Sequence, residues 1–438
     1  MTGLHALPPF TTRRVGQGPT RQRGVATLVV VMALFFVLAL VAAYTNRNLV
    51  YEQRTAANSY RAERALATAD GAVDWTLSQL NSGRVALNCE ASTTASDGDF
   101  RSRYITLNSQ NGGYVTSALM PTCITPHSNT PALRCACPTP TSAGSITVPT
   151  DEPSTAFRVS FLTPNGMTTT PPGTVYLQVT GCSNVSPGTA SCISNDPNPE
   201  ADARSQVRAT LGLVRALPAK PVAPLVVGND ITVPANMLVV TNAETSAVAV
   251  HGRNFSTSGA KLLFGPDGAT GSDQPSLALA ALLAGGKFFE AVFGMPAALY
   301  KTQPAVVRVA CPTGCTTSDA PVVNALTNFP GRTVYIDGDL AFDSAPGSST
   351  VGTTATPVML VVNGTLTLTA AVNITGFVYA TDVLWQSGTA TLQGALAAAQ
   401  NFTATTAVTI VHDADVMATI TKGYGSFVRV PGGWNRGF

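Results

Sequence analysis

The residues best suited to chemistry are few and fall in short clusters. His412, Asp413 and Asp415 lie within "VHDADV", and Asp337 and Asp339 within "IDGDL". A histidine beside two carboxylates has the donor set for a metal ion or an acid/base pair, and paired carboxylates are what polysaccharide cleavage requires. The same pattern also suits polar residues at turns between strands, and that plainer reading is preferred. A third cluster, "GPDGATGSD" (265–273), has calcium-loop-like Asp/Gly spacing but neither a D-x-D-x-D series nor a closing Glu, so it reads as a solvated turn. The sequence has no G-x-x-x-x-G-K-[ST], no H-E-x-x-H and no G-x-S-x-G with a credible triad. The histidines, at 5, 127, 251 and 412, are widely spread. These observations predict a chain that is not an enzyme and uses no cofactor or metal.

Cysteine spacing carries a second kind of chemistry. The eight cysteines lie at 89, 123, 135, 137, 182, 192, 311 and 315. Cys182 and Cys192 bracket "CSNVSPGTASC", and Cys311 and Cys315 bracket "CPTGC". Short loops of turn residues closed by cysteines predict disulfides, formed in an oxidising compartment. A zinc site built on Cys135 and Cys137 is the rival, but C-x-C lacks the usual two-to-four-residue spacing and no histidine pair is near. The pairing of Cys89, Cys123, Cys135 and Cys137 is not legible.

The elements around these residues are those of an exported protein. Only 11% of the 438 residues are charged, and Thr, Ala, Gly, Pro and Val abound. The formal charge of +2 is concentrated at one end. Arg13, Arg14, Arg21 and Arg23 precede residue 25 with no acid among them; removing those four from 26 basic residues leaves 22 against 24 acidic ones. A remainder near −2 has no basic patch for nucleic acid.

Val25 to Ala43 is a run of nineteen apolar or small residues. As a helix it spans about 28 Å, enough to cross a bilayer core. The arginines before it predict a cytoplasmic N-terminus and a periplasmic remainder. A cleaved secretory signal would have a shorter apolar run and an A-x-A site, which "VAAYTNRN" matches poorly. Leu66, Ala69, Val73, Leu77 and Leu80 then recur at helical spacing before "NSG" at 81–83, so one helix is predicted from about Val25 to Leu80. A plain signal anchor followed by a stalk is the bland alternative.

A basic leader ending in Gly24, an apolar helix from Val25 and an amphipathic continuation resemble the prepilin class of type IV pilins and pseudopilins. "QRGVATLVVVMALFFVLALVAAYTNRN" followed by "YRAERALATADGAVDWTLSQLN" is similar to the N-terminal domain of the PilX family of minor pilins. Ala65, Ala69, Asp70, Asp74 and Trp75 stand at the places of that family's A-x-x-A-A-E-A-G-x-E-W pattern, with Asp where Glu is usual and with Gly71 one residue before the place of its glycine. The resemblance covers about 60 residues and implies cleavage between Gly24 and Val25 by a prepilin peptidase. It also implies other pilins and pilus assembly components as partners. Most major pilins carry Glu five residues after the cut, where this chain has Val29. Tip-type pseudopilins share that lack, which implies a place at the end of a filament. "GSFVRVPGGWNRGF" (425–438) also resembles the ending of long PilX-family members.

Beyond the helix, 84–151 is rich in Thr, Ser, Pro, Asn and Cys and reads as disulfide-pinned loops. Strands are predicted at 156–162, 175–182 and 203–215, packed as a small antiparallel module on the amphipathic half of the helix. "ALPAKPVAP" (216–224) is a linker. From 360 onward the pattern repeats every 18 residues. Leu360, Val378 and Leu396 align, as do Leu366, Leu384 and Phe402; Val372, Ala390 and Val408; and Ile374, Leu392 and Ile410. Repeats of this length, with Gly, Asn, Asp and Thr between short strands, predict the coils of a β-solenoid. Residues 332–342 form an earlier coil, 224–250 begin the stack, and the helical 276–300 sits beside or caps it.

The expected fold class is therefore α+β, mainly β: a long N-terminal transmembrane and amphipathic α-helix, a small antiparallel pilin-like β module and a C-terminal right-handed β-solenoid. The expected divisions are a leader (1–24), the helix (25–83), the disulfide-containing module (84–217) and the solenoid domain (225–438) with its helical insertion. The expected function is a minor pilin promoting type IV pilus assembly at the filament tip. It would sit in the inner membrane with a periplasmic domain, and then on the pilus or cell surface. The alternatives are a membrane-delivered β-helix acting on polysaccharide and a surface adhesin. From Gly352 to Val411 the only charged residue is Asp382, too few to supply both an acid and a base.

Overall fold

The computed structural model describes residues 23–126, 132–147, 154–185, 203–343 and 350–437. The chain divides into two compact units, Met1–Tyr60 and Arg61–Phe438. One α-helix, Arg23–Asn81, runs through 59 residues. It contains no proline, and glycine only at Gly24 and Gly71, so little in it opposes helix propagation. In the first unit the described side chains are exposed, including Val29, Met32, Phe35 and Phe36. The helix is long and apolar enough to cross a membrane, and none of its most apolar stretch is buried. Thr45 and Thr55 return their hydroxyls to the carbonyls of Val41 and Tyr51, so neither leaves a donor unsatisfied.

In the second unit the helix buries Ala65, Ala69, Ala72, Val73, Thr76 and Leu80. The buried stripe is thus centred on smaller residues than expected, with Leu66 and Leu77 only partly covered at its margin. Small side chains let the helix approach a sheet closely. Among the described residues, that sheet has six antiparallel strands in the order Gly425–Gly437, Arg204–Arg215, Thr174–Val185, Ser154–Leu162, Thr122–Pro126, Arg134–Ala136. Val159, Val175, Leu177, Val179, Val207 and Leu211 alternate inward to form the core beneath the helix. The closing strand, Gly425–Gly437, was expected with the C-terminal body but is an edge of this sheet, paired with Arg204–Arg215.

The stretch expected as loops holds more order than its composition suggests. Phe100–Tyr104 is a short helix whose N-terminus is capped by Asp99, and Ile105–Leu107 pairs with Tyr114–Thr116 as a hairpin. Cys89 bonds Cys137, and Cys123 bonds Cys135, its direct cross-strand partner. The cysteines of the zinc alternative are therefore occupied in disulfides.

Among the described residues, the larger sheet has sixteen strands and is parallel except where Lys261–Phe264 meets Ala269–Thr270. Its main ladder runs Val306–Thr316, Thr333–Phe342, Val358–Leu368, Asn373–Trp385, Thr391–Ala398, Leu225–Val227, Ala247–His251, Ser272–Pro275. The 18-residue rows Leu360–Val378–Leu396 and Ile374–Leu392–Ile410 are in register. Val372, Ala390 and Val408 are buried. One row is corrected: Leu366 lies opposite Val383, which lies opposite Phe402, while Leu384 points outward opposite Thr367. An irregularity between Val362 and Thr365 absorbs one residue, and a one-residue slip moves a side chain to the other face.

The order of strands is also corrected. Residues 224–250 do not begin the stack; Leu225–Val227 adds after Thr391–Ala398, continuing the C-terminal end of the ladder. The chain must then return from Ser272–Pro275, at one edge, to Val306–Thr316, at the other. The 276–300 segment makes that return. Its helices Phe288–Phe293 and Ala297–Tyr300 place Phe288, Phe293 and Tyr300 on Tyr335, Phe377 and Tyr379, and helix Ala414–Gly423 adds Val416, Met417 and Ile420. The opposite face carries its own core of Ile336, Leu360, Val378 and Leu396. Val358–Val362 is accordingly buried at every residue, as expected of parallel strands covered on both faces. The architecture is a long N-terminal apolar helix and a mainly β body whose larger sheet is curled; a closed solenoid is not established.

Candidate functional site

Within the second unit, three parts of the chain converge on the last turn of the long helix. Arg101 comes from the short helix Phe100–Tyr104, Arg332 from the turn before Thr333–Phe342, and Gly425 and Phe427 from the closing strand. The Leu80 carbonyl accepts from Arg101 Nε at 2.5 Å and Arg332 Nη2 at 3.1 Å. Arg101 Nη2 also donates to Gly425 O at 2.7 Å and to Asn81 Oδ1 at 3.2 Å. Asn81 pairs with Phe427 in both directions, its Nδ2 donating to the carbonyl at 3.0 Å and its Oδ1 accepting from the amide at 2.9 Å. A helix C-terminus has unpaired carbonyls and a partial negative charge, so two guanidiniums satisfy both requirements. Burial, then the neighbouring Arg332, brings the pKa of Arg101 down to about 9. Arg101 remains a cation at neutral pH, with its ring-facing side over Phe427 at 4.6 Å.

One turn-pair earlier, Asp70 and Asp74 hold Arg429 of the closing strand. Arg429 Nη2 is 2.8 Å from Asp74 and Nη1 is 3.4 Å from Asp70. Trp75 meets Phe100 and Phe157 edge-on. Ala65 and Ala69 lie against Gly181, where an added Cβ would stand 2.4 Å from Ala65 O and 2.5 Å from Ala69 N. Ala65, Ala69, Asp70, Asp74 and Trp75 therefore face the antiparallel sheet or its closing strand, while Gly71 is exposed.

The carboxylate clusters have structural partners. Asp413 Oδ1 caps helix Ala414–Gly423, accepting from the amides of Asp415 and Val416 at 2.9 Å, and its other oxygen accepts from Gln393 at 2.6 Å. Asp337 is held by Lys301 and Arg308, each with a bond of 3.1 Å, and by Asn363; the Lys301 bond comes first among the causes that bring its pKa down to about 2. Asp339 accepts from the Thr365 amide at 2.7 Å. In 265–273, Asp267 is exposed and Asp273 lies 3.4 Å from His251 Nε2. Among the described residues, no three His, Cys, Asp or Glu side chains come together as a metal site.

His412 is buried, with its Nε2 3.6 Å from Glu244, an acid that also binds Lys220 at 2.6 Å. Burial lowers its pKa below the ordinary value of 6.5, against the opposing fields of Glu244 and Asp413 and with that of Lys220. A lowered folded-state pKa means that protons bind the unfolded chain more readily. The stabilisation is therefore complete above pH 6.5 and declines as pH falls from there through the folded pKa. Thermal unfolding of the full chain between pH 7.5 and 5 should show a falling Tm that His412→Gln flattens. Parallel pH profiles for the two proteins would refute this.

The site residues expected from sequence are not gathered in one place. Val25 is exposed on the helix in the first unit, and residues 1–22 of the leader lie outside the described residues. Cys311 and Cys315 are joined by a disulfide at an irregularity of the edge strand Val306–Thr316. Cys182 is buried in Thr174–Val185, while Cys192 lies outside the described residues. The arginine junction was not foreseen. "DFRSRY" and "PGRTV" give no local sign that their first arginines are buried, apart from the rarity of charge in the chain.

No protein-family model matches the chain, and no curated protein matches it. Among solved structures, it is similar to the crystal structure of the competence-associated pilin ComZ from Thermus thermophilus. The match has 8% sequence identity and a TM-score of 0.21, and covers 86% of this chain and 98% of that one. The similarity is weak in both sequence and superposition.

Proposed function

We propose that the chain is a PilX-type minor pilin that promotes type IV pilus assembly, acts at the filament tip and has no enzymatic activity. The observation that carries this reading is the division of labour along one helix. Its first part exposes apolar side chains from Val25 onward, and its second part seats Ala65 and Ala69 on Gly181 beneath an antiparallel sheet. The arginines at 13, 14, 21 and 23 favour a cytoplasmic leader and a periplasmic body, delivered from the inner membrane to the pilus or cell surface. Its partners are a prepilin peptidase, other pilins and the assembly components. Val29 offers no carboxylate to a neighbouring subunit's N-terminal amine, and leaving such a charge unpaired in an apolar filament core would cost several kcal/mol. A terminal place avoids that cost.

The body serves interaction, as a right-handed β-solenoid. Three parallel ladders keep the same order of chain segments, which is the connectivity of successive coils. One passes Thr391–Ala398, Leu225–Val227 and Ala247–His251; another Phe402–Ala404, Ile231–Thr232 and Phe255–Ser256; a third Val408–Val411, Leu238–Asn242 and Lys261–Phe264. The capping role of Asp413 and the cation-bound state of Asp337 support a non-enzymatic reading.

N-terminal sequencing of protein recovered from filaments tests the proposal. The expected start is Val25, at few copies per filament. Gly24→Leu is expected to block processing completely, because a bulky side chain obstructs the backbone's entry to a peptidase. A start near Tyr44, an intact Met1, or an abundance equal to that of a major subunit would overturn it.

A further inference from the structure

Beside the arginine junction lies a cleft of about 490 Å³, lined by Arg101, Ser102, Gln110, Tyr114, Arg332 and Thr356 among others. That volume is in the range of small-molecule sites. Two of its buried donors have no hydrogen-bond partner among the described residues: the Tyr114 hydroxyl and Arg332 Nε. Both residues are only 2% exposed, so neither group is served by bulk solvent. Nearly every buried donor in a folded protein finds a partner, which makes two unpaired ones in one cleft unusual.

The charge balance points the same way. Arg101 and Arg332 bring two positive charges. Asp99, 3.6 Å from Arg332, supplies one negative charge, and the end of the long helix supplies roughly half of another. The other lining carboxylate, Asp415, is exposed, and its charge is matched by that of Lys422, whose Nζ donates to the Ser109 and Gln110 carbonyls of the lining. An excess of less than one charge suits a monoanion better than a phosphate dianion. Burial raises the pKa of Tyr114, so its hydroxyl stays protonated and able to donate.

We propose that this cleft binds a carboxylate, which accepts from Tyr114 Oη and Arg332 Nε. The carboxylate belongs either to a small free acid or to a peptide terminus, which share this recognition chemistry. The cleft is lined from the short helix Phe100–Tyr104, the hairpin of Ile105–Leu107 with Tyr114–Thr116, the turn before Thr333–Phe342 and helix Ala414–Gly423, so occupancy would tie these segments together. The inference is independent of the pilin reading.

The test uses the full chain in detergent, titrated calorimetrically with acetate, with N-acetyl-alanyl-alanine and with the C-terminal amide of that dipeptide. The acid peptide is expected to bind saturably and the amide not to bind. Tyr114→Phe should weaken binding at least fivefold without lowering the unliganded Tm, because the hydroxyl removed has no partner to lose. Arg332→Lys, which keeps the charge but lacks Nε–H, should weaken it similarly. Acetate binding as tightly as the peptide would assign the site to free acids, and a peptide at least tenfold tighter would assign it to a chain terminus. Binding by neither, equal binding of the amide, or unchanged affinity in Tyr114→Phe overturns the proposal.

Discussion

Gly181→Val is expected to separate the second half of the long helix from its sheet and to cost about 4 kcal/mol of stability, at the upper end for a single substitution. A Cβ on residue 181 would lie 2.4 Å from the Ala65 carbonyl oxygen, 2.5 Å from the Ala69 amide and 2.9 Å from the Ala69 side chain. Two of these are backbone atoms, so no rotamer change relieves the overlap and the helix itself must move. The consequence extends beyond that contact, because the same helix anchors Arg429 through Asp70 and Asp74 and receives Arg101 and Arg332 at its end. Denaturant unfolding and limited proteolysis of 61–81 would measure the effect. Gly71 is the control: a Cβ there meets nothing within 4 Å, so Gly71→Ala should stabilise by about 1 kcal/mol through helix propensity. A difference between Gly181→Val and wild type below about 1 kcal/mol would show that the helix does not dock there.

Gly394→Ala is expected to be comparably damaging, at about 3 kcal/mol or more, although it adds one methyl group. Gly394 has φ near +137°, in the region that side chains avoid, and its Cβ would stand only 1.9 Å from the carbonyl oxygen of Gly376. Gly376 is its partner in the parallel ladder, eighteen residues earlier. The substitution therefore opens the ladder between two neighbouring strands, with no solvent-facing direction for relief. Gly388→Ala is the matched control, since a Cβ there makes only ordinary contact, 3.7 Å from Thr406. Thermal unfolding monitored by circular dichroism should separate the two variants clearly. Equal Tm values would mean that strands 373–385 and 391–398 are not in this register.

If both substitutions behave as expected, the fold has two separable supports. One is the approach of small residues on a helix to a glycine in an antiparallel sheet. The other is a stack of parallel strands in which Gly376 and Gly394 lie opposite each other.

Much of this was present in local pattern. The uninterrupted helix follows from apolar periodicity without proline, and its exposed first part from nineteen consecutive apolar or small residues, Val25 to Ala43. The strands around 156–162, 175–182 and 203–215 follow from alternation, and the 18-residue period matches the pairing of Leu360 with Val378 and of Val378 with Leu396. These properties depend on neighbours along the chain. The tertiary structure decided what depends on partners far apart in sequence. Which side of its strand Leu384 occupies depends on a local irregularity in the adjacent strand, invisible in the repeat itself. The position of Leu225–Val227 beyond Thr391–Ala398, and of Gly425–Gly437 beside Arg204–Arg215, depends on which strand edges remain open after the rest has folded. The pairing of Cys89 with Cys137 depends on a turn brought close only by the antiparallel module. The burial of Arg101 and Arg332 depends on a helix end whose carbonyls need donors, a requirement set by backbone geometry rather than by the residues beside either arginine.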